Sequence, residues 1–192
     1  MSISEVRTRI IATADELYNA KGIQSVGMDE LRTAAGVSLK KLYQEFPSKS
    51  SIIMAVLERR HASWTEGLDA LVRTADTPRG RLLAIFDYLA RWFGEGSFRG
   101  CGFINSFAEL GAVSPEVADY ARKHKESFQH YLGDLAEAAG APSYLAPQLS
   151  ILAEGAQTTA AIAGSPEAAG QARRAAEVLI DAALRGGISG AA

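Results

Sequence analysis

Apolar residues recur at spacings of three and four along most of the chain, and this feature constrains the fold more than any other. Such spacing puts apolar side chains on one face of an α-helix, whereas a strand needs alternation with a period of two, which no segment sustains. The clearest run lies in the middle of the chain and a second one near the C-terminus. These runs are Val117, Ala121, His124, Phe128, Tyr131, Leu135 and Ala138, and Ala168, Ala172, Ala175, Leu179 and Ala182.

Three pairs of a capping hydroxyl followed by proline mark helix starts: Thr77-Pro78, Ser114-Pro115 and Ser165-Pro166. A hydroxyl side chain caps the free N–H groups of a helix, and proline is favoured at the first helical position. Gly22 and Gly36 mark helix ends in the N-terminal part. Together these signals predict an all-α fold of about nine helices.

Composition narrows the class of protein. With 192 residues, 47% of them hydrophobic, the chain can bury a core as one or two domains. A single cysteine, Cys101, excludes an intramolecular disulfide and a cysteine-rich zinc site. No apolar run is long enough to span a bilayer, and the N-terminus does not resemble a signal peptide, so we expect a cytoplasmic protein without membrane contact.

The charge is distributed unevenly although the net charge is only −2. The first 60 residues hold nine Lys or Arg against seven Asp or Glu, and the remainder is acidic. Between residues 32 and 49 the basic side chains are Arg32, Lys40, Lys41 and Lys49, opposed only by Glu45. This modest basic patch is the kind of surface that attracts nucleic acid.

The residues of an enzyme site are not evident. The three histidines, His61, His124 and His130, include no pair at the four-residue spacing of two metal ligands on one helix face. Cys101 has no base near it in the sequence, and no glycine-rich phosphate loop follows a strand. We therefore predict no catalytic residue, metal or cofactor. An all-helical enzyme or binding module, and an architectural DNA binder without ligand response, remain the alternatives.

Residues 29–45 have the organisation of a helix-turn-helix: a short helix, a turn with glycine, and a second helix. Leu42 and Phe46 are four apart and should point inward, with Leu31 and Val37 as partners. This leaves Lys40, Lys41 and Gln44 on the outer face, where lysine suits phosphate or guanine and glutamine suits adenine. A solvated face that binds nothing is the alternative at this level.

The stretch AAGVSLKKLYQEFPSKSSI, from Ala34 to Ile52, closely resembles the helix-turn-helix signature of the tetracycline-repressor (TetR) family. The resemblance implies three DNA-binding helices, a fourth connecting helix, and about five more that form a ligand-binding and dimerisation domain. We accordingly expect a DNA-binding domain over residues 1–47 and a helical sensor domain over 48–192, with the helix from residue 48 connecting them.

The resemblance also assigns individual residues. Ser38, Tyr43 and Lys49 match positions that the family uses on the DNA backbone, and Lys49 lies at a helix N-terminus, which itself attracts phosphate. Tyr43 can equally belong to the core, and Leu39 either contacts a thymine methyl or packs beside Leu42. Gly27 stands where the family usually has a capping Ser or Thr. The predicted DNA-binding residues are Ser38, Leu39, Lys40, Lys41, Tyr43, Gln44 and Lys49.

Aromatic residues concentrate between residues 64 and 131, as expected for an apolar pocket with a few polar groups. The candidate ligand-binding residues are Trp64, Phe86, Leu89, Trp92, Phe93, Phe103, Asn105, Phe107, Glu109, His124, Phe128 and Tyr131. For the aromatic side chains, ordinary core packing is the competing interpretation. His124 either bonds a ligand or is a core histidine satisfied by a carboxylate such as Glu109.

The last two helices are rich in small residues, among them Gly155, Ala156, Ala160 and Ala163. Small side chains let helices approach closely, so two such helices from each subunit can form a four-helix interface, although packing within one chain needs the same residues. The sequence thus predicts a homodimeric, ligand-responsive transcriptional regulator. Its partners would be a palindromic double-stranded DNA operator and a small-molecule effector, and we expect a repressor that the effector releases.

Overall fold

A computed structural model describes residues 3–187 and the side chains of residues 5–186. This part of the chain forms nine helices and no strand, which confirms the predicted fold class. In chain order they are α1 (Ile3–Lys21), α2 (Met28–Ala34), α3 (Leu39–Glu45), α4 (Lys49–Val72), α5 (Pro78–Phe93), α6 (Gly102–Leu110), α7 (Pro115–Ala138), α8 (Leu145–Ala163) and α9 (Glu167–Gly187). None of the helices over residues 3–187 is long and apolar enough to cross a membrane.

The predicted helix starts are those that the structure has. Thr77 precedes α5 and its hydroxyl accepts from the Gly80 N–H at 3.0 Å, with Pro78 at the first helical position. The α7 helix begins at Pro115. The hydroxyl of Ser165 accepts from the Glu167 N–H at 3.3 Å, where α9 begins. Local chemistry therefore sets these boundaries.

The chain divides into two compact units. The first extends to Ser63 and also includes Gly102–Ala121, so it holds α1 to α3, most of α4, α6 and the beginning of α7. The second comprises Trp64–Cys101 and the chain from Arg122 onward. The predicted boundary at residues 47 and 48 concerns function, and it stays a prediction. The inclusion of α6 in the first unit has no signal in the sequence.

The buried faces of two helices differ from the predicted ones. In α7 the prediction holds as far as Phe128, after which the buried residues are Leu132 and Ala136 rather than Tyr131, Leu135 and Ala138. In α9 only Ala172 of the predicted run is buried. The buried residues of α9 are Ala169, Ala172, Ala176, Ile180 and Ala183. A helix with apolar residues on neighbouring faces fits several phases, and packing selects one of them.

Candidate nucleic-acid interface and sensor site

The α3 helix has a defined start and end. The hydroxyl of Ser38 accepts a hydrogen bond from the Lys41 N–H at 3.1 Å, which is the N-cap arrangement. At the other end Phe46 is extended, and its N–H donates to the Leu42 carbonyl at 2.9 Å. Leu42, in the middle of this seven-residue helix, and Phe46, at its C-cap, are fully buried.

The opposite face of α3 is open to solvent. Lys40 and Gln44 are exposed and four residues apart, and neither has a polar partner among the described residues. Leu39 and Tyr43 are also exposed, by 40% and 46%, which excludes the core alternative for both side chains. Val37, predicted to join the core, is only partly buried. The face presents a cation, an amide, a hydroxyl and an aliphatic group side by side.

Lys41 differs from Lys40 in its surroundings. Its ammonium pairs with Glu45 Oε1 at 2.7 Å, four residues along the same helix, and the side chain is partly covered. Arg7 was not among the predicted residues. Its guanidinium donates to the Glu45 carbonyl at 2.8 Å and lies 4.1 Å from the centre of the Phe46 ring. Arg7 therefore satisfies a carbonyl at the C-terminus of α3. Its position 38 residues earlier leaves no local signal.

Lys49 is the first residue of α4 and is held from inside the first unit. Its Nζ donates to the Ile23 carbonyl at 2.6 Å. Burial lowers the pKa of Lys49, and the negative charge of Glu109 opposes that change. Before it, Ser48 and Ser51 each accept from the other's N–H, at 3.1 and 3.2 Å, so the start of α4 is capped. The ammonium has two further N–H groups beyond the one on Ile23.

Glu109 lies against the turn between α1 and α2. Its Oε2 accepts from the Gln24 N–H at 3.0 Å, and its main-chain carbonyl accepts from Gln24 Nε2 at 2.5 Å. Glu109 was predicted to bind ligand, but its Oε2 and its main-chain carbonyl contact Gln24 within the first unit. It is also not in the unit that contains His124.

The other predicted ligand-binding residues of α6 are likewise in the first unit. Phe103 is buried and stacks on Tyr120, with ring centres 6.1 Å apart. Asn105 is exposed, and Phe107 is 54% exposed. The structure therefore does not bring Phe103, Asn105, Phe107 and Glu109 into the compact unit that holds the remaining eight candidates.

In the second unit the predicted aromatic residues cluster around Trp64. Its ring lies edge-on to His124 and to Phe128, both at 5.2 Å between centres. A separate group contains Trp92 and Phe93 with Phe98, whose ring is 5.1 and 4.7 Å from theirs. Phe86 and Leu89 are fully buried and belong to the core. The Trp64 cluster is the part of the predicted set that combines aromatic side chains with a buried histidine.

Tyr131 lies partly buried on α7, and its hydroxyl donates to Asp69 Oδ1 at 3.3 Å. Burial and the charge of Asp69 raise the pKa of Tyr131 to about 12. The phenol is therefore protonated at neutral pH and acts as a donor there.

A polar strip on α8 was not foreseen. Ser150, Glu154 and Gln157 are spaced by four and three, and so share one helix face. Ser150 and Gln157 are 1% and 3% exposed. Glu154 faces Lys125 of α7 at 3.6 Å, beside His124. The spacing itself was readable from the sequence, but the burial was not.

Among the described residues, no group of three or more His, Cys, Asp or Glu side chains is arranged to hold a metal ion. Cys101 is buried, and Lys125 Nζ lies 3.6 Å from its sulfur.

Comparison of both the sequence and the structure with known proteins finds bacterial regulatory proteins. The family described as "Bacterial regulatory proteins, tetR family" matches residues 10–56. A crystal structure from Streptomyces avermitilis, assigned to the TetR transcriptional regulators, is 30% identical, covers 95% of this chain and 98% of that chain, and superposes with a TM-score of 0.81.

Two characterised relatives match over part of their length. The transcriptional activator FasR of Mycolicibacterium smegmatis is 36% identical over 89 residues, which is 44% of this chain and 41% of that protein. The transcriptional repressor NemR of Escherichia coli is 28% identical over 115 residues, which is 59% of this chain and 58% of that protein. The chain thus spans about half the length of these two relatives.

Proposed function

The chain belongs to the TetR family of bacterial regulatory proteins, and from this premise we propose that it is a DNA-binding transcriptional regulator that responds to a small molecule. The observation that carries the proposal is the open face of α3, because a buried apolar side holds the helix while its polar side is free. This is the arrangement of a recognition helix that enters the major groove. We expect the protein to act in the cytoplasm, without catalysis.

Each exposed side chain of α3 has a matching group on DNA. The Gln44 amide can bond adenine N6 and N7, and Lys40 suits the acceptors of guanine. Leu39 suits the thymine methyl, while the hydroxyls of Ser38 and Tyr43 suit phosphates. Lys41 and Lys49 have internal partners but retain N–H groups, so phosphate contacts do not require their release.

We expect a homodimer that uses α8 and α9. Ile151 and Ile162 on α8 are 71% and 84% exposed, and Val178 on α9 is 67% exposed. Ala156 and Ala160 were predicted candidates for the interface, but both are buried within the chain. Gly155 is exposed and shares the outer face of α8 with the two isoleucines. A two-fold interface on this face would cover apolar side chains that are otherwise in water.

We place the effector site in the second unit, between the Trp64 cluster and the polar strip of α8. Lys125 connects the two, because it follows His124 on α7 and pairs with Glu154. The amide of Gln157 and the hydroxyl of Ser150 are buried polar groups, and they would offer hydrogen bonds to a ligand bound there. The effector chemistry that fits is an aromatic or apolar body with at least one hydrogen-bonding group.

Regulation would follow from linkage between the two sites. A ligand that binds the DNA-free form more tightly weakens DNA binding by the same factor. We expect repression that the effector relieves, as in the sequence-based prediction. One of the matched relatives is named an activator and another a repressor.

Selection of bound duplexes from random-sequence DNA, with the full chain, tests the proposal. We expect enrichment of an inverted repeat, with half-site centres about 34–36 Å apart or a multiple of that distance. Gln44→Ala and Lys40→Ala should then lose about 5- to 150-fold discrimination at particular base pairs, which corresponds to about 1–3 kcal/mol.

Lys123→Ala is the matched control, because this exposed lysine of α7 lies outside the proposed interface. It should leave the discrimination unchanged. Failure to enrich any sequence, or equal effects of Gln44→Ala and Lys123→Ala, would contradict the assignment of α3.

A further inference from the structure

A single peptide group in the turn between α1 and α2 is held from both sides by ionised side chains. Its carbonyl, from Ile23, accepts from Lys49 Nζ at 2.6 Å. Its N–H, from Gln24, donates to Glu109 Oε2 at 3.0 Å. Charge-assisted hydrogen bonds are shorter and stronger than neutral ones, so the peptide plane is fixed in position.

A second contact joins the same two segments in the opposite direction. Gln24 Nε2 donates to the main-chain carbonyl of Glu109 at 2.5 Å. Glu109 is the penultimate residue of α6, so this carbonyl is one of those that a helix leaves without an internal partner. The Gln24 side chain thus caps α6.

The turn is shaped to admit Glu109. Gly22 has φ +82°, a conformation that favours glycine, and a Cβ at that position would lie 3.2 Å from Glu109 Oε2. The absence of a side chain at Gly22 therefore leaves room for the Glu109 carboxylate. All of these groups belong to the first unit.

The peptide group joins three segments of the first unit. Lys49 begins α4, Glu109 lies in the last turn of α6, and the Ile23–Gln24 turn leads into α2, which α3 follows. We propose that Glu109 and Lys49 form a clamp on the Ile23–Gln24 peptide group, and that Glu109 is thereby a positioning residue for DNA binding. Through it, α6 fixes the turn before α2 and the ammonium of Lys49.

The DNA-binding part of this inference rests on the proposed function. A competing role for Glu109 is simple repulsion, since a carboxylate beside a phosphate-binding lysine disfavours DNA. The two roles predict opposite changes in DNA affinity when Glu109 is replaced. Loss of a clamp lowers DNA affinity, whereas loss of a repulsive charge raises it.

Amide hydrogen exchange of the free, full-length protein tests the clamp without DNA. In Glu109→Ala we expect the Gln24 N–H to lose about tenfold or more of its protection, while Glu109→Gln, which keeps an acceptor oxygen, loses less than about threefold. Glu16→Ala removes an exposed carboxylate of α1 and is the control, with no change expected. Unchanged protection in Glu109→Ala would overturn the clamp.

Affinity for the duplex that the wild-type protein selects tests the positioning role. We expect Glu109→Ala to bind about tenfold more weakly, Glu109→Gln to stay within about threefold of the wild type, and Glu16→Ala to be unchanged. In a Lys49→Ala background, Glu109→Ala should have a clearly smaller effect than in the wild type, because one half of the clamp is already lost. A purely structural loss of stability would instead add to the effect of Lys49→Ala.

Each contrary result has a distinct meaning. Tighter binding by both Glu109 variants, or additive effects of Glu109→Ala and Lys49→Ala, overturns the positioning role. Failure of the wild-type protein to select any duplex removes the regulator proposal and the positioning role with it. The clamp itself is then decided by the exchange of the Gln24 amide.

Discussion

At the scale of single residues, Tyr18 carries a polar hydroxyl in a buried position. The side chain is 6% exposed, and its hydroxyl is buried without a hydrogen-bond partner among the described residues. Burial raises the pKa of Tyr18 to about 12, so the group stays protonated through the physiological range. A buried hydroxyl without a partner lowers the stability of the fold.

Replacement of Tyr18 by Phe removes that hydroxyl and keeps the ring. We expect the free energy of unfolding to stay level or rise by about 1 kcal/mol, measured by urea denaturation. Tyr131→Phe is the contrasting variant, because it removes the donor to Asp69 and should cost about 0.5–1.5 kcal/mol. Equal losses in the two variants would show that Tyr18 has a partner after all.

The pH dependence of Tyr18 has a definite sign. Its folded-state pKa is raised from 10.0 to about 12, so the unfolded chain loses the proton first. This ionisation therefore does not affect stability below pH 10, and stability falls as the pH rises from 10 towards 12, because the unfolded chain ionises there and the folded chain does not. Tyr18→Phe should be less sensitive over this interval, and an unchanged pH profile would contradict the assignment.

Gln157 is a second polar residue that is almost fully buried, at 3% exposure. Gln157→Met keeps the shape of the side chain. If the amide serves a ligand rather than the fold, the free energy of unfolding should stay within about 1 kcal/mol of the wild-type value. The exposed Gln148 of the same helix provides the control, since Gln148→Met should change nothing. A loss above about 1 kcal/mol in Gln157→Met would speak against a group kept for a ligand.

At the scale of elements, the buried face of α7 depends on its neighbours. The sequence pattern steps by four and three, whereas the buried residues after Phe128 follow steps of four, to Leu132 and Ala136. A repeat of seven drifts by about 20° per heptad on a straight helix, so a pattern that fits at the start need not fit at the end. Leucines on adjacent faces then compete, and the packing chooses Leu132 over Leu135.

Two alanine substitutions test this choice. Leu132 is completely buried, so Leu132→Ala should cost about 2–5 kcal/mol of unfolding free energy. Leu135 is only partly buried, and Leu135→Ala should cost about 1 kcal/mol. Chemical denaturation of both variants measures the difference. A larger cost for Leu135→Ala would restore the register that the sequence pattern predicted.

At the scale of the whole molecule, α8 and α9 expose apolar residues that a second subunit would cover. Ile151 and Ile162 are eleven residues apart on one face of α8, and Val178 is exposed on α9. Large aliphatic side chains in water favour association, and a two-fold symmetric interface needs only one such surface. A dimer is also what a palindromic operator requires.

Ile162→Glu places a charge on that surface. We expect the variant to sediment as a monomer at concentrations where the wild-type chain is dimeric, because a carboxylate is costly to bury at an interface. Val113→Glu changes an equally exposed residue in the turn before α7 and should remain dimeric. Dimers of Ile162→Glu, or dissociation of Val113→Glu, would move the interface elsewhere.

Much of this molecule was determined by the sequence alone. The hydroxyl and proline pairs gave the helix starts, and Leu42 with Phe46 gave the buried side of α3, because caps and helical spacing act over a few residues. The family resemblance supplied the functional class on the same local stretch. Helical spacing also placed Lys40 and Gln44 on the outer face of α3, whereas the structure decided between surface and core for Tyr43.

Only the tertiary structure decided the contacts between distant segments. Glu109 reaches Gln24 across 85 residues, Arg7 reaches Glu45 across 38, and Lys49 reaches Ile23 across 26. Such pairs leave no periodic or local mark on the chain, since any exposed acid or base is equally suited to them. The division that joins α6 to the first unit has the same origin. The assignment of α6 to this unit depends on which helix surfaces contact each other. Helical spacing determines which face of a helix is apolar, but it does not determine which other helix packs against that face.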